Sequence, residues 1–360
     1  QRIYAYGKTS QTAADTLTLG LDRFDLSALA PLTGPELDLR GIATGKVSLT
    51  SPLKTRGLLA DILCDSTFIA GEPLGTLTLG SVWNEEFERF DISVKNSHLG
   101  KSNLNATAKL TPKSKMLDAA LTLDSLNIKY AEPFLTDVFS EMEGYVSGDI
   151  IAEGPVNLLE IKSSGTRLDK AMLKVAFTNV PYYADGSFHI DDTGVWFDDI
   201  SIRDRYNGTG TVEGSINWSQ FKDITFDTRL KVRNIEGIDL TEKMNEDFYG
   251  NIYGTGNVSI TGPVNSLVLT VDAVTAKTGQ LHIPMSGAAT SGGATNLLKF
   301  KEIKEEVYID PYDIMVSNYE KKETSKNDFL VNLHVNANPD VTAFVEIDKA
   351  SGNVLSGRGN

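Results

Sequence analysis

The amino-acid sequence predicts an all-β chain. Three observations carry the prediction: apolar and polar side chains alternate with period two, turn signals separate the alternating runs, and helical spacing is scarce. Alternation marks a half-buried strand because successive side chains point to opposite sides of a sheet.

Taken in order, Asp15–Leu21 sets Leu17, Leu19 and Leu21 on one face and Thr16, Thr18 and Gly20 on the other. Leu26–Leu32 has helical spacing but runs only a turn or two, too short to stand without packing on a sheet. Lys46–Thr50 alternates again, Leu58–Cys64 is a partly apolar strand, and Thr76–Leu79 repeats the alternation. Pro133–Phe139 reads as a second short helix, since proline suits a first turn. Phe188–Ile190 and Val195–Phe197 flank Asp191-Asp192-Thr193-Gly194, which predicts a hairpin. Asp185-Gly186 and Tyr206-Asn207-Gly208 read as further turns, and most of the 31 glycines are expected at such corners. Ile238–Met244 is the third short helix candidate. Asn257–Thr261 alternates without a fault, as do Phe329–Ala337 and Val341–Ile347.

A repeat emerges when the pieces are aligned. Gly45-Lys-Val-Ser-Leu-Thr-Ser-Pro52 resembles Gly148-Asp-Ile-Ile-Ala-Glu-Gly-Pro155, and both resemble Gly256-Asn-Val-Ser-Ile-Thr-Gly-Pro263, at separations of 103 and 108 residues. Paired glycines accompany each copy: Gly41/Gly45, Gly144/Gly148 and Gly250/Gly254. A short helix candidate lies upstream of each. A fixed period signals an array in which each unit covers the exposed face of its neighbour. No Pro/Gly/Ser linker divides the units, so residues 1–360 read as one continuous body with approximate repeats 17–120, 121–225 and 226–285. Residues 286–296 read as a flexible Gly/Ser-rich loop, 297–360 as a terminal β segment, and Tyr319–Asp328 as a solvated excursion.

Composition narrows the function. With 34 basic and 48 acidic residues the formal charge is −14. That argues against nucleic acid and against docking on anionic lipid headgroups. A hydrophobic content of 41% suffices for a core. The single cysteine, Cys64, excludes an intrachain disulfide framework, a zinc site made of four cysteines or an iron–sulfur cluster built by this chain alone. No stretch reaches the 18 or so apolar residues of a membrane span. Because the chain begins with Gln1, it reads as a processed or excised piece that could lack an anchor.

Chemistry-bearing constellations are missing from the sequence. His98, His189, His282 and His334 are isolated from one another, so no paired metal ligands arise. Asp191, Asp192, Asp198, Asp199 and Asp204 form an acidic cluster that a hard cation could use, but turn roles account for it better. Cys64 reads as a small buried hydrophobe. No Gly-x-Ser-x-Gly elbow and no phosphate loop is present. No catalytic residue, metal or cofactor is expected.

The informative feature is the apolar face itself. Val47, Leu49, Ile150, Ala152, Val258 and Ile260 occupy corresponding positions in the three copies, and Leu267, Leu269 and Val271 continue the alternation. Such a face ordinarily fills a dry core between sheets or inside a solenoid. The other reading is an open trough that buries something apolar, such as acyl chains.

The chain resembles the TamB family, in the wider AsmA-like group. The resemblance is carried by Phe248-Tyr249-Gly250-Asn-Ile-Tyr-Gly254-Thr-Gly256-Asn-Val-Ser-Ile-Thr-Gly262-Pro263 and the threonine-rich strand from Asp272 to Ile283-Pro284. Ile202–Ile216 and Val341–Arg358 add to it, while Gln280 stands where a threonine is expected. The resemblance implies an elongated β-taco, a sheet folded lengthwise around an apolar trough. It also implies a periplasmic protein, tethered at full length to the inner membrane by an N-terminal helix and meeting an Omp85-type outer-membrane barrel through a C-terminal part beyond this chain. Its expected cargo is phospholipid, carried by its acyl chains between the inner and outer membranes, with support of outer-membrane protein assembly. A strand-binding chaperone acting by β-augmentation is the first rival. A glycan-binding surface solenoid is the second, weakened by the scatter of Trp83, Trp196 and Trp218 over separate strands.

Overall fold

The computed structural model describes residues 2–8, 16–33, 37–50, 57–136, 138–219, 222–246, 248–263, 265–276, 279–284, 328–336, 338, 341–348 and 353–358. The alternating runs become strands of one sheet. Sixteen of them follow one another as an antiparallel meander: β1 (Arg2–Gly7), β2 (Thr16–Asp25), β3 (Arg40–Thr50), β4 (Gly57–Ile69), β5 (Glu72–Asn84), β6 (Arg89–Ser97), β7 (Leu104–Thr111), β8 (Met116–Asn127), β9 (Phe139–Pro155), β10 (Glu160–Val175), β11 (Val180–Asp191), β12 (Gly194–Arg203), β13 (Thr209–Ser219), β14 (Lys222–Leu240), β15 (Tyr249–Pro263) and β16 (Ser266–Thr275). β17 (Gly279–Pro284) lies end to end with β16, both pairing with β15. The sheet then turns parallel. β18 (Asp328–Asn336) runs beside β16 and β19 (Val341–Asp348) beside β17, before β20 (Asn353–Arg358) closes the row antiparallel to β19. At about 4.8 Å per step, the path from β1 to β16 measures roughly 70 Å along the sheet.

The long strands are bent, and the bends recur with the repeat. Arg23, Ser125 and Asn234 each have a positive φ, of 52, 54 and 50°. Each sits at a break in pairing register and 22 or 23 residues before Gly45, Gly148 and Gly256. Ser66 and Lys170 mark the equivalent bend in β4 and β10, with φ of 51 and 50°. One extra residue in a strand kinks it and raises its twist. Because neighbouring bends lie in register, they form a crease across the sheet and divide the strands into two arms. The motif-bearing strands are β3, β9 and β15, so the repeat period corresponds to six strands.

Burial is concentrated beyond the crease. There, Met142, Ala171, Ala184, Ile202 and Ile235 pack with Ile128 of a 3₁₀ helix (Ile128–Phe134). A smaller cluster joins Ala43 and Cys64 to Leu26 of the 3₁₀ helix Leu26–Leu29, which continues into α1 (Ala30–Thr33). Asp25 and Asn127 initiate the two 3₁₀ helices by accepting from the backbone N–H of Ser27 and Lys129, at 3.0 and 2.9 Å.

Four sequence expectations need correction. The second helix occupies Ile128–Phe134 rather than Pro133–Phe139, because Asn127 caps it earlier and Phe139 pairs with Val175. Ile238–Met244 is no helix: Ile238 and Leu240 pair with Ile252 and Gly250 in the ladder. Asp185-Gly186 lies inside β11, where Asp185 accepts from the Lys170 N–H at the bend of β10 (2.7 Å). Many glycines likewise stand within strands rather than at corners. The first glycines of the three pairs, Gly41, Gly144 and Gly250, have φ of 147, 111 and 130°, and a Cβ on Gly144 would come within 2.5 Å of the Ala171 Cα. The Asp191–Gly194 hairpin and the Tyr206-Asn207-Gly208 turn form as expected. The expectations for 286–296 and for Tyr319–Asn327 lie outside the described residues.

Candidate functional site

Cross-strand register decides which side chains share the inner face. Val47 stands opposite Ala60, which leads in turn to Ser81, Ile92, Ala108, Ala119 and Ala152. One pleat further along, Ile62, Leu79, Val94, Ala106, Leu121 and Ile150 form a parallel row. In the last repeat, Leu230, Val258 and Val271 align, as do Thr228, Ile260 and Leu269. Leu49 faces Leu17 of β2, and the backbone of Leu267 is in register with residue Phe329 of β18. The nine residues singled out from sequence therefore fall into three groups on the sheet, and Val47 shares a continuous row with Ala152.

All nine are half-buried. In β7 and β8 half-buried and exposed residues alternate, with none fully buried. The opposite face carries the charge. Lys109 pairs there with Asp118 (3.2 Å), Lys231 with Glu213 (3.3 Å) and Lys174 with Glu141 (2.7 Å). One side of the sheet is thus hydrocarbon with incomplete cover, and the other is a solvated ladder of ion pairs.

Beyond the crease a polar lock ties β11, the turn between β12 and β13, and β14 together. The Glu236 side chain is fully buried, and Arg205 donates to both of its carboxylate oxygens at 2.9 Å. Asp204 accepts from the Glu236 N–H (2.6 Å), and the Tyr182 hydroxyl donates to the Glu236 carbonyl (2.7 Å). The Glu236 hydrogen bonds, and next those to Asp239, push the Arg205 guanidinium further up; burial pushes up the Tyr182 hydroxyl. Every member has a partner, so the cluster is a structural tie rather than a reactive group. Sequence reasoning missed it, since its members sit on three different elements and leave no local pattern.

The other chemistry-bearing residues are also accounted for. Asp191 caps its hairpin by accepting from Thr193 N–H and Gly194 N–H at 2.8 and 3.0 Å. Asp198 meets His189 Nδ1 at 2.7 Å, and Asp204 belongs to the lock. His282 stacks between Tyr249 and Phe344 at 4.7 and 4.6 Å. Cys64 is buried, and desolvation pushes its thiol up, away from nucleophilic character. Trp83 packs on Phe90 and Trp196 on His189, so these two form no shared platform. Among the described residues no group of three or more His, Cys, Asp or Glu side chains could hold a metal ion, and no helix is long and apolar enough to cross a membrane.

Fold and site together define a class: a long, open sheet, creased lengthwise, with one incompletely covered apolar face. A family model for the TamB C-terminal domain matches residues 198–360. That match covers the last 163 of the 360 residues and supports a TamB-family role in the cell envelope. The strands upstream of the matched stretch continue the same sheet without interruption. No curated protein and no solved structure matches the chain.

Proposed function

We propose that this chain carries phospholipid between the inner and outer membranes, with acyl chains riding on the inner face and Val47, Leu49, Ile150, Ala152, Val258, Ile260, Leu267, Leu269 and Val271 among the residues they touch. One observation carries the reading: these side chains are half-buried on a face that runs from strand to strand, while the Lys109–Asp118 and Lys231–Glu213 ion pairs stand on the far side. Fully burying a leucine or valine is worth about 1.5–3 kcal/mol, so half-buried rows leave a sizeable part of that gain to an apolar visitor. A moving lipid then finds similar cover at each successive strand. Lipid supply in turn supports outer-membrane protein assembly. In the full-length protein an N-terminal helix provides the inner-membrane anchor and an Omp85-type barrel receives the far end.

Photo-crosslinking residues at Val47, Ile150, Val258 and Ile260 should capture phospholipid in cells, and Ile260→Asn should reduce outer-membrane lipid supply while the protein still folds. Capture of neighbouring protein alone, with unaltered lipid flow in the Asn variant, would overturn the reading. A second reading, the strand-binding chaperone, is favoured by β20. Among the described residues it pairs only with β19, and it exposes Val354 and Leu355. Crosslinks from β20 to nascent outer-membrane strands would support that role.

A further inference from the structure

Just past the crease, under the 3₁₀ helix Ile128–Phe134, lies an apolar recess of about 270 Å³. Its floor is the cross-strand row Leu126–Val146–Leu168, and Ile128, Phe139 and Met142 complete much of the wall. Two polar residues border it, and both turn their polar atoms elsewhere. Asn127 accepts from the Lys129 N–H, and the Tyr130 hydroxyl donates to the Pro73 carbonyl at 2.9 Å. The roof is held at both ends: Lys129 pairs with Glu72 (2.9 Å) and Glu132 accepts from the Met142 N–H (3.0 Å). The recess is therefore preformed and lined by hydrocarbon. Val146, Gly148 and Ile150 follow one another on the same face of β9, so the recess opens from the face described above.

We propose that this recess is a docking site for the methyl end of one hydrocarbon chain, a resting point beside the open path. The inference rests on the lipid-carrying reading and adds a specific site to it. Volume sets the length. An apolar cavity of about 150 Å³ takes a benzene, six carbons, so 270 Å³ corresponds to about ten carbons. No group in the wall can pair with a headgroup, so the selectivity is for chain length rather than head chemistry.

Calorimetry of the whole chain with alkylphosphocholines of increasing chain length, below micelle formation, tests this. Affinity should rise about fourfold per methylene up to about ten carbons and then level off. Ala131→Phe and, independently, Leu173→Phe should fill the recess and lower the affinity of the ten-carbon probe at least tenfold. Both variants should leave lipid crosslinking at Val258 and Ile260 intact. A continued rise to sixteen carbons, or wild-type affinity in a folded filling variant, would sink the recess while leaving the open face standing. Loss of lipid crosslinks at Val258 and Ile260 in the wild type would instead sink the lipid-carrying reading.

Discussion

Val47 and Ala152 lie on one uninterrupted cross-strand row although 105 residues and six strand steps separate them. In the sequence repeat the counterpart of Val47 is Ile150, two residues away. Between the first two copies the rows are therefore staggered by one pleat. A cargo following the rows crosses Ala108, Ala119 and Ala152, where small side chains leave the face lowest.

Ala119→Trp should obstruct that stretch. Ala119 is half-buried, so an indole there can project outward with a stability change below about 1.5 kcal/mol. The expected outcome is a several-fold drop in lipid delivery with crosslinking at Val47 retained. Lipid flow and crosslinking downstream at Ile260 provide the two measurements.

Gly144→Ala tests the crease. Gly144 has a φ of 111°, and an added Cβ would press against the Ala171 Cα of β10. The substitution should destabilise the chain by roughly 2–3 kcal/mol in urea unfolding, from backbone strain and displaced pairing together. At Gly71, with φ 77° and open space around the Cβ, alanine should cost only about 1–2 kcal/mol.

Alternation revealed the strands from Thr16 to Asp348 because a period of two survives whatever the sheet packs against. The repeat glycines stand 103 and 108 residues apart, and six strand steps separate β3 from β9 and β9 from β15. Reading those glycines as corners failed because a positive φ serves a bend inside a strand as well as a turn between strands. Asp185 was misread for a related reason: it caps a bulge in the neighbouring strand, a long-range role that looks local in sequence. The helix at Ile128–Phe134 did leave a usable signal. Asn127, like Asp25 in the first repeat, is a capping residue placed directly before an apolar one. The Arg205–Glu236 tie left none.

Arg205→Ala should be among the most damaging single substitutions outside the apolar core. It leaves the fully buried Glu236 carboxylate without its cation. Removing one partner of a buried pair costs about 3–5 kcal/mol, and the partial exposure of Arg205 lowers this to about 2–3. Adding Glu236→Gln should recover part of the loss, because the amide is less costly to bury than an unpaired charge. Denaturant midpoints of the two single variants and the double variant measure the coupling.

The hairpin between β11 and β12 should weaken in acid. Burial pushes the Asp191 carboxyl up, but hydrogen bonds from Thr193, Trp196 and Gly194 outweigh it and hold the group below the usual carboxylate range. A carboxyl lowered on folding contributes stability that is complete above its unfolded value, near pH 4, and is lost as pH falls through the lower folded value. Amide exchange at Thr193 and Gly194 should therefore quicken, relative to intrinsic rates, as pH drops below about 4. Asp191→Asn should exchange faster at neutral pH and lose that acid dependence. An unchanged acid response in the Asn variant would assign it to other carboxylates.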